Sequence, residues 1–397
     1  MKRTQSLLTR NVAGRCWRVL HVFGRMSRGG AELRTIEVVR AMKGQRVRHD
    51  FCALSGLAGE LDEEIRALGG NVHLQALGPT FPLRFRQLLR SERYDAVHSH
   101  VHYFSGAILR LAAGEAIPIR IAHFRSTHDG KGDSWRRRLR NRLLARGIDR
   151  YATDILAVSR AAMCAAWSSH WQQDGRCQVV YNGFPLPETR VKDDREEMFR
   201  ELGLSRGARL FVHVGNFVEA KNHLKLVEIF ARIVKVAPES RLMLVGDARG
   251  PVGHAVRARV KALGLAAKTV LTGTRGDVPR LLHAADTLIF PSLREGSPGA
   301  LIEACAAGVP VLASDLAAIR EIAEHFPQFE TLSCDSSDDC WATRALDLSR
   351  NRQRGEHAAE AGRLAFAASP FRLEACLAAY RKVWLGEHNE YTFAATG

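Results

Sequence analysis

Short apolar runs recur along the chain and alternate with stretches whose apolar residues fall three and four apart. Residues 17–23 (WRVLHVF), 51–54, 94–102, 119–123 and 155–159 read as strands, and so, further on, do residues 210–215, 242–246, 270–275, 287–291 and 311–313. Between them Leu33, Ile36, Glu37 and Arg40 keep helical spacing, and residues 61–68 form a helix stopped by Gly69 and Gly70. Leu226, Val227, Phe230, Ile233 and Val234 mark the inward face of another helix. Leu281, Leu282 and Ala285 complete a shorter one, and residues 371–384 (FRLEACLAAYRKVW) make an amphipathic helix near the end. Such strand–helix alternation predicts the α/β class, with doubly wound sheets that bind ligands in the loops beyond the strands' carboxyl ends. The pattern breaks at residues 184–194 (FPLPETRVKDD), where two prolines and many polar residues mark a linker between two domains.

Residues 287–314 (TLIFPSLREGSPGALIEACAAGVPVLAS) carry most of the candidate chemistry. They predict a strand, a loop, a helix ended by Gly308 and Pro310, and a second strand. In the loop Arg294-Glu295-Gly296-Ser297, Ser297 is placed to cap the helix and Pro298 to occupy its first position. The N–H groups of Gly299, Ala300 and Leu301 then point out of the helix start, where the dipole favours a phosphate. Glu295 and Glu303 frame that position. A carboxylate beside a phosphate is unfavourable unless it accepts hydrogen bonds, and paired sugar hydroxyls supply them, so a phosphate joined to sugars satisfies both. An ordinary crossover with two surface carboxylates has the same pattern.

Other candidates stand alone more weakly. Gly29 and Gly30, where the first strand turns into a helix, allow a phosphate to approach the backbone, and equally a tight turn. His98, His100 and His102 alternate and would share one face of a strand, a metal-binding pattern without the acidic or further ligands that accompany one. His123 ends a strand at the ligand-binding edge, with His128 as a competitor. Lys221, beside a helix start, is a point charge suited to a diphosphate.

A net charge of +16 on 397 residues calls for an anionic partner: a nucleotide diphosphate, an acidic lipid surface or a nucleic acid. The excess peaks in residues 135–146. There Leu139, Leu143 and Leu144, with Trp135 at one end, are set among Arg136, Arg137, Arg138, Arg140, Arg142 and Arg146. This is either an interfacial helix on an anionic membrane or a helix docked on the sheet with a solvated arginine face. With 7% aromatic residues and no RNA-binding aromatic signature, no nucleic-acid partner is expected. The eight cysteines are scattered without a Cys-x-x-Cys pair, which predicts reduced thiols and a cytoplasmic protein. No apolar run suits a signal peptide or reaches the roughly 18 residues of a membrane span, so any membrane association would be peripheral. Asp335, Asp338 and Asp339, between Cys334 and Cys340, fit no calcium loop and read as a solvated turn.

Taken in order, these motifs resemble the retaining glycosyltransferases of family 4. The resemblance rests on Glu295 to Glu303 followed by Ala304, Gly308, Pro310 and Val311, on Gly29-Gly30-Ala31-Glu32, on Ala157-Val158-Ser159 and on Asn182-Gly183, and it spans residues 17–384. It implies the GT-B fold: two facing Rossmann-like domains, residues 17–188 and 205–369, a linker at 189–204, and residues 370–397 returning as a helix to the first domain. It also implies that Glu295 touches the donor sugar, Glu303 holds the ribose hydroxyls, Gly29 and Gly30 face the donor, His123 lies at the reaction centre and His100 lines the acceptor side. The loop following the strand at residues 270–275 would border the base. Where the family usually has an arginine this chain has Asn216, and Arg294, Arg275 or Arg25 are candidates to supply the missing charge. Catalysis would rest on stabilising the leaving diphosphate through Lys221, the helix start at Gly296, Ser297, Gly299, Ala300 and Leu301, and the Gly29 and Gly30 amides. No Asp-x-Asp triplet occurs, which argues against a metal-dependent transferase; no metal and no cofactor are expected, the nucleotide-sugar being a substrate. The acceptor would be a glycan or a lipid-linked sugar in cell-surface polysaccharide assembly. A nucleotide-sugar epimerase or hydrolase of the same fold, and a non-catalytic protein of anionic membranes, are the alternatives.

Overall fold

The structure is a computed structural model that describes residues 16–127, 134–186, 194–351 and 356–385. The chain divides into two compact units, one running up to Gly183 and taking in the chain from Leu373 onward, the other comprising Phe184–Arg372.

In the first unit β1 (Trp17–Phe23), β2 (Val47–Ala53), β3 (Val72–Leu74), β4 (Ala96–Ser99), β5 (Ile119–Phe124), β6 (Asp154–Ala157) and β7 (Cys177–Val179) form one sheet in the order β3-β2-β1-β4-β5-β6-β7. Every pairing is parallel. Parallel sheets are covered on both faces, which is why the central strands read as nearly continuous apolar runs. Leu20 and Val22 turn to one core and Val19, Ala96, Ile121 and Leu156 to another. The helix Leu373–Leu385 covers the second face, burying Cys376, Tyr380, Val383 and Trp384 against those four strand residues. The returning C-terminal helix is thus part of the fold, and its amphipathic pattern is the imprint of that face.

The second unit repeats the plan. β8 (Leu210–Val214), β9 (Arg241–Val245), β10 (Thr269–Gly273), β11 (Thr287–Phe290), β12 (Val311–Ser314) and β13 (Phe329–Leu332) lie in the order β10-β9-β8-β11-β12-β13, again parallel. The fold is two-domain α/β with two Rossmann-like sheets. Within the span read as linker the chain forms a helix, Asp194–Glu201, whose Met198 and Phe199 are buried. Arg195 anchors it by a 2.9 Å pair with the buried Asp286, which also accepts the Leu210 N–H at 2.8 Å. Its few apolar residues among many charges hide this from a hydrophobicity pattern.

Each sheet reverses its strand order once, between β1 and β4 and between β8 and β11. At such a point neighbouring crossovers leave in opposite directions and open a crevice at the carboxyl ends of the strands.

Candidate functional site

In the second unit the loops leaving β8 and β11 are tied together by the Leu293 N–H, which donates to the Ala220 carbonyl at 2.8 Å. That tie brings Lys221, in the turn Glu219–Lys221, to Glu295, with Nζ 2.6 Å from Oε1. Both side chains are largely withdrawn from water, at 20% and 9% exposure, and the ammonium lies 4.7 Å from the Phe290 ring centroid. Alongside, His213 donates from Nδ1 to the Ile289 carbonyl at 2.9 Å. Burial, with His223 and Lys221 nearby, holds His213 well below the ordinary histidine pKa. His223 stacks 4.0 Å from Phe217 and is lowered to about 4 by burial and then Lys221. Apart from its partner Glu295, the lysine is therefore set in a neutral, aromatic surround.

The helix Gly299–Ala306 starts four residues after Glu295 in the same loop. Its cap is Pro298 in extended conformation (φ −74°, ψ 102°) with no side-chain cap bond, so Ser297 is not the cap and the helix begins one residue later than expected. The Leu301 N–H turns back to the Pro298 carbonyl at 3.2 Å, leaving Gly299 and Ala300 as the amides that open the helix. A Cβ on Gly299 would lie 2.8 Å from Cζ of Phe184, so a larger residue there must displace that ring. Glu303, half-buried, follows one turn later, and Gly296 and Ser297 are half-buried in the loop. Two of the expected site residues have partners within this unit. Arg275 is not a loose cation at the site: it grips Asp277 through two 2.7 Å bonds and reaches Glu201 at 2.8 Å, so its charge is already neutralised. Asn216 accepts the Asp247 N–H at 3.3 Å and so helps to join the loops after β8 and β9. Of the other suggested substitutes, Arg294 is exposed, and Arg25, in the first unit, donates to the Ala58 carbonyl.

In the first unit the reversal point is lined by histidines. β1 and β4 are in register at His21 and His98. β4 ends at Ser99, however, and His102 sits in the turn His102–Phe104 at φ 51°, packed on Tyr103 and Phe124. The expected face of three alternating histidines is therefore reduced to His98 and His100, 4.1 Å apart, and completed by His21, His49 and His123. His21 bridges His49 (3.1 Å) and His100 (3.2 Å), while His98 bridges His123 (3.0 Å) and the indole of Trp384 (3.2 Å). Burial first, and then neighbouring rings and Arg125, hold His21, His98, His100 and His123 well below the ordinary pKa; burial lowers His49 to about 4. His21, His98 and His100 have ring nitrogens close enough to enclose a metal ion. Both nitrogens of His98 already have partners, so ligation would break the Trp384 or the His123 bond. His128 lies outside the described residues.

Gly29 caps the helix Gly30–Ala41, but a Cβ there would collide with the Glu32 carboxylate. The Gly29 N–H donates to the Ser27 carbonyl at 2.8 Å, and that acid is the third residue of the helix. Burial pushes its pKa up, opposed by a hydrogen bond from its own N–H and by Arg125. Arg125, which the pattern reading passed over, donates to the Ala31 carbonyl at 2.9 Å and to the Tyr380 hydroxyl at 3.2 Å. Its only sequence signal was its place just beyond the β5 terminus. Trp384 and Tyr380 were legible as core residues and not as partners of histidine and arginine.

Two family models divide the chain between them: glycosyltransferase family 4 over residues 28–187 and glycosyl transferases group 1 over residues 194–364. A capsular polysaccharide biosynthesis glycosyltransferase, CapH of Staphylococcus aureus, is 31% identical over 312 residues, covering 78% of this chain and 84% of its own length. The UDP-Gal:alpha-D-GlcNAc-diphosphoundecaprenol alpha-1,3-galactosyltransferase of Escherichia coli is 27% identical, covering 58% of this chain and 60% of its own. Among solved structures, HepE of Anabaena in complex with UDP superimposes with a TM-score of 0.73 at 18% identity, over 92% of this chain and 98% of that one. With its two parallel sheets and these relatives, the chain belongs to the GT-B glycosyltransferases of family 4 and is a glycosyltransferase of polysaccharide biosynthesis.

Proposed function

We propose that the protein transfers a sugar from a nucleotide-sugar, with retention at the anomeric carbon and without a metal, to a lipid-linked glycan acceptor. The observation that carries this reading is the 2.6 Å Lys221–Glu295 pair at the β8/β11 reversal point, with Glu295 in the loop that leads to the amides of Gly299 and Ala300. As the bond from the anomeric carbon to the diphosphate breaks, negative charge grows on the departing oxygens. Lys221 and the two amides are preorganised donors for it. Glu295 accepts from hydroxyls of the sugar and Glu303 from those of the ribose, and His123 orients the sugar. No covalent intermediate is required: the acceptor oxygen replaces the diphosphate on the face it leaves, and the acceptor's hydroxyl proton passes to the departing diphosphate oxygen. Metal independence is supported by this lysine and by the absence of an Asp-x-Asp triplet from the sequence. A uridine donor is supported by the UDP held by HepE, and a polyprenyl-diphosphate acceptor by the substrate named for the E. coli relative.

The helix Trp135–Tyr151 favours an acceptor met at a membrane. It docks through Gly147, whose Cβ position lies 3.0 Å from the Gly106 carbonyl, and through the buried Ile148. Trp135, Leu139 and Leu143, four residues apart, are left 64%, 52% and 56% exposed, with Arg136, Arg138, Arg140 and Arg142 exposed around them. An apolar row turned to solvent within an arginine field suits an anionic bilayer better than a simply solvated face. Replacing Arg136, Arg137 and Arg138 by Ala should abolish flotation with phosphatidylglycerol vesicles while sparing turnover of a soluble acceptor; undiminished flotation of the variant would remove this helix as the contact, and no flotation of the wild type would remove the membrane reading.

Product analysis tests the transfer itself. Incubated with a UDP-sugar and a polyprenyl-diphosphate-linked sugar, the enzyme should lengthen the acceptor by one residue whose anomeric configuration matches the donor. Free or epimerised sugar with an unchanged acceptor would favour the hydrolase or epimerase reading instead.

A further inference from the structure

The histidine chain at β4 and β5 has a direction, and the direction is fixed by a residue nearly three hundred positions away. The indole Nε1 of Trp384 can only donate, and it lies 3.2 Å from Nδ1 of His98. Nδ1 of His98 must therefore carry the lone pair. His98 is fully buried and neutral, so its proton is on Nε2. That proton faces Nδ1 of His123 at 3.0 Å. The two ring planes differ by 4° with centroids 5.2 Å apart, so the bond lies in the plane of both rings, where the lone pair is. His123, also neutral, is left with its own proton on Nε2.

The far side of His123 then presents an N–H. Nη1 of Arg125 lies 3.5 Å from that nitrogen, and two donors cannot satisfy one another; an oxygen received between them accepts from both. Arg125 is held for this by its bonds to Tyr380 and to the Ala31 carbonyl.

We propose that Trp384 and His98 are positioning residues that hold His123 as the Nε2–H tautomer, making His123 and Arg125 a pair of hydrogen-bond donors for a substrate oxygen and denying His123 the role of base at that nitrogen. The part concerning substrate rests on the sugar-transfer reading above. The tautomer does not.

The test uses the full chain with 15N-labelled histidine, with His123 assigned through the His123→Asn spectrum. In the wild type, His123 Nδ1 should show the shift of an unprotonated ring nitrogen and Nε2 that of a protonated one, without any substrate present. Trp384→Phe keeps the ring and removes the donor, so His98 can reverse and the His123 resonances should move toward a mixture of tautomers. His98→Gln is the conservative rescue: its amide oxygen can accept from Trp384 while its NH2 donates to His123, and the Nε2–H tautomer should persist. In transfer assays Trp384→Phe should lower kcat about fivefold, as expected for losing a hydrogen bond of ordinary strength, with the donor KM within about twofold of wild type. A wild-type spectrum with the proton on Nδ1 of His123 overturns the inference before any variant is made. So does a Trp384→Phe protein that melts cooperatively and keeps the wild-type His123 shifts. Failure of the sugar-transfer reading looks different: no turnover by the wild type on any donor, with the tautomer as described.

Discussion

The two strand-reversal points share a topology and differ in almost everything else. Between β8 and β11 the crevice holds a half-buried ion pair, Lys221–Glu295, and the opening of a helix. Between β1 and β4 it holds five neutral histidines capped by an indole. Parallel sheets supply the crevice, and the side chains at the strand ends decide what it recognises. A cation and two amides attract phosphate by charge. Neutral rings linked by directional bonds, with Arg125 beside them, recognise oxygens by the placement of N–H and lone pair as well as by charge.

Acid should separate the two regions most strongly. In the unfolded chain a histidine takes up a proton as the pH falls below about 6.5. In the fold, His21, His98, His100 and His123 stay neutral far below that and His49 stays neutral to about 4. The unfolded state then binds more protons, so their contribution is intact above about 6.5 and is lost as the pH falls from there toward about 4. The loss is on the order of 1 kcal/mol per histidine per pH unit. In the second unit the corresponding groups are His213 and His223. Pulse-labelling hydrogen exchange at pH 7.5 and 5.0, corrected for intrinsic rates, should show the first unit opening preferentially; equal loss in both would erase the contrast.

The charged crevice is broken by Lys221→Ala. Removing a preorganised cation should cut kcat about a hundredfold to a thousandfold, while the melting of the first unit stays put. Steady-state kinetics with a saturating acceptor reads this, and a loss of less than tenfold would mean that Lys221 is not stabilising the leaving diphosphate. Trp384→Ala attacks the other crevice. Deleting a fully buried indole should destabilise the first unit by about 3–5 kcal/mol, seen as a lower urea midpoint. Gly299→Ala is the mildest: its Cβ would meet the Phe184 ring, which must shift, and the donor KM should rise about threefold with kcat nearly unchanged.

Much of this was legible in the sequence. The strand at residues 17–23 and the 287–314 unit stand out because parallel strands buried on both faces need unbroken apolar runs. Lys221 and Glu295 were each singled out, but that they touch depends on the Leu293–Ala220 tie, and no local spacing encodes a contact across 74 residues. The Trp384–His98 bond spans 286 residues and was still less accessible. The partners of Arg275 were hidden for the complementary reason: an arginine in a loop looks available until its acids, Asp277 nearby and Glu201 far away in sequence, are folded onto it. Glu32 shows the same limit at short range, since only the folded backbone reveals that its carboxylate fills the space beside Gly29.

The central claim, that the second unit is a nucleotide-sugar site built around Lys221, Glu295 and Glu303, is tested most directly by thermal-shift titration with UDP-, GDP- and ADP-sugars in parallel on the wild type and Glu303→Ala. Ligand that binds only the folded chain must raise its apparent stability. The account predicts a selective rise with one nucleotide-sugar, UDP-linked, lost in Glu303→Ala. No shift of the folded wild type at millimolar concentration with any member of the panel would contradict it.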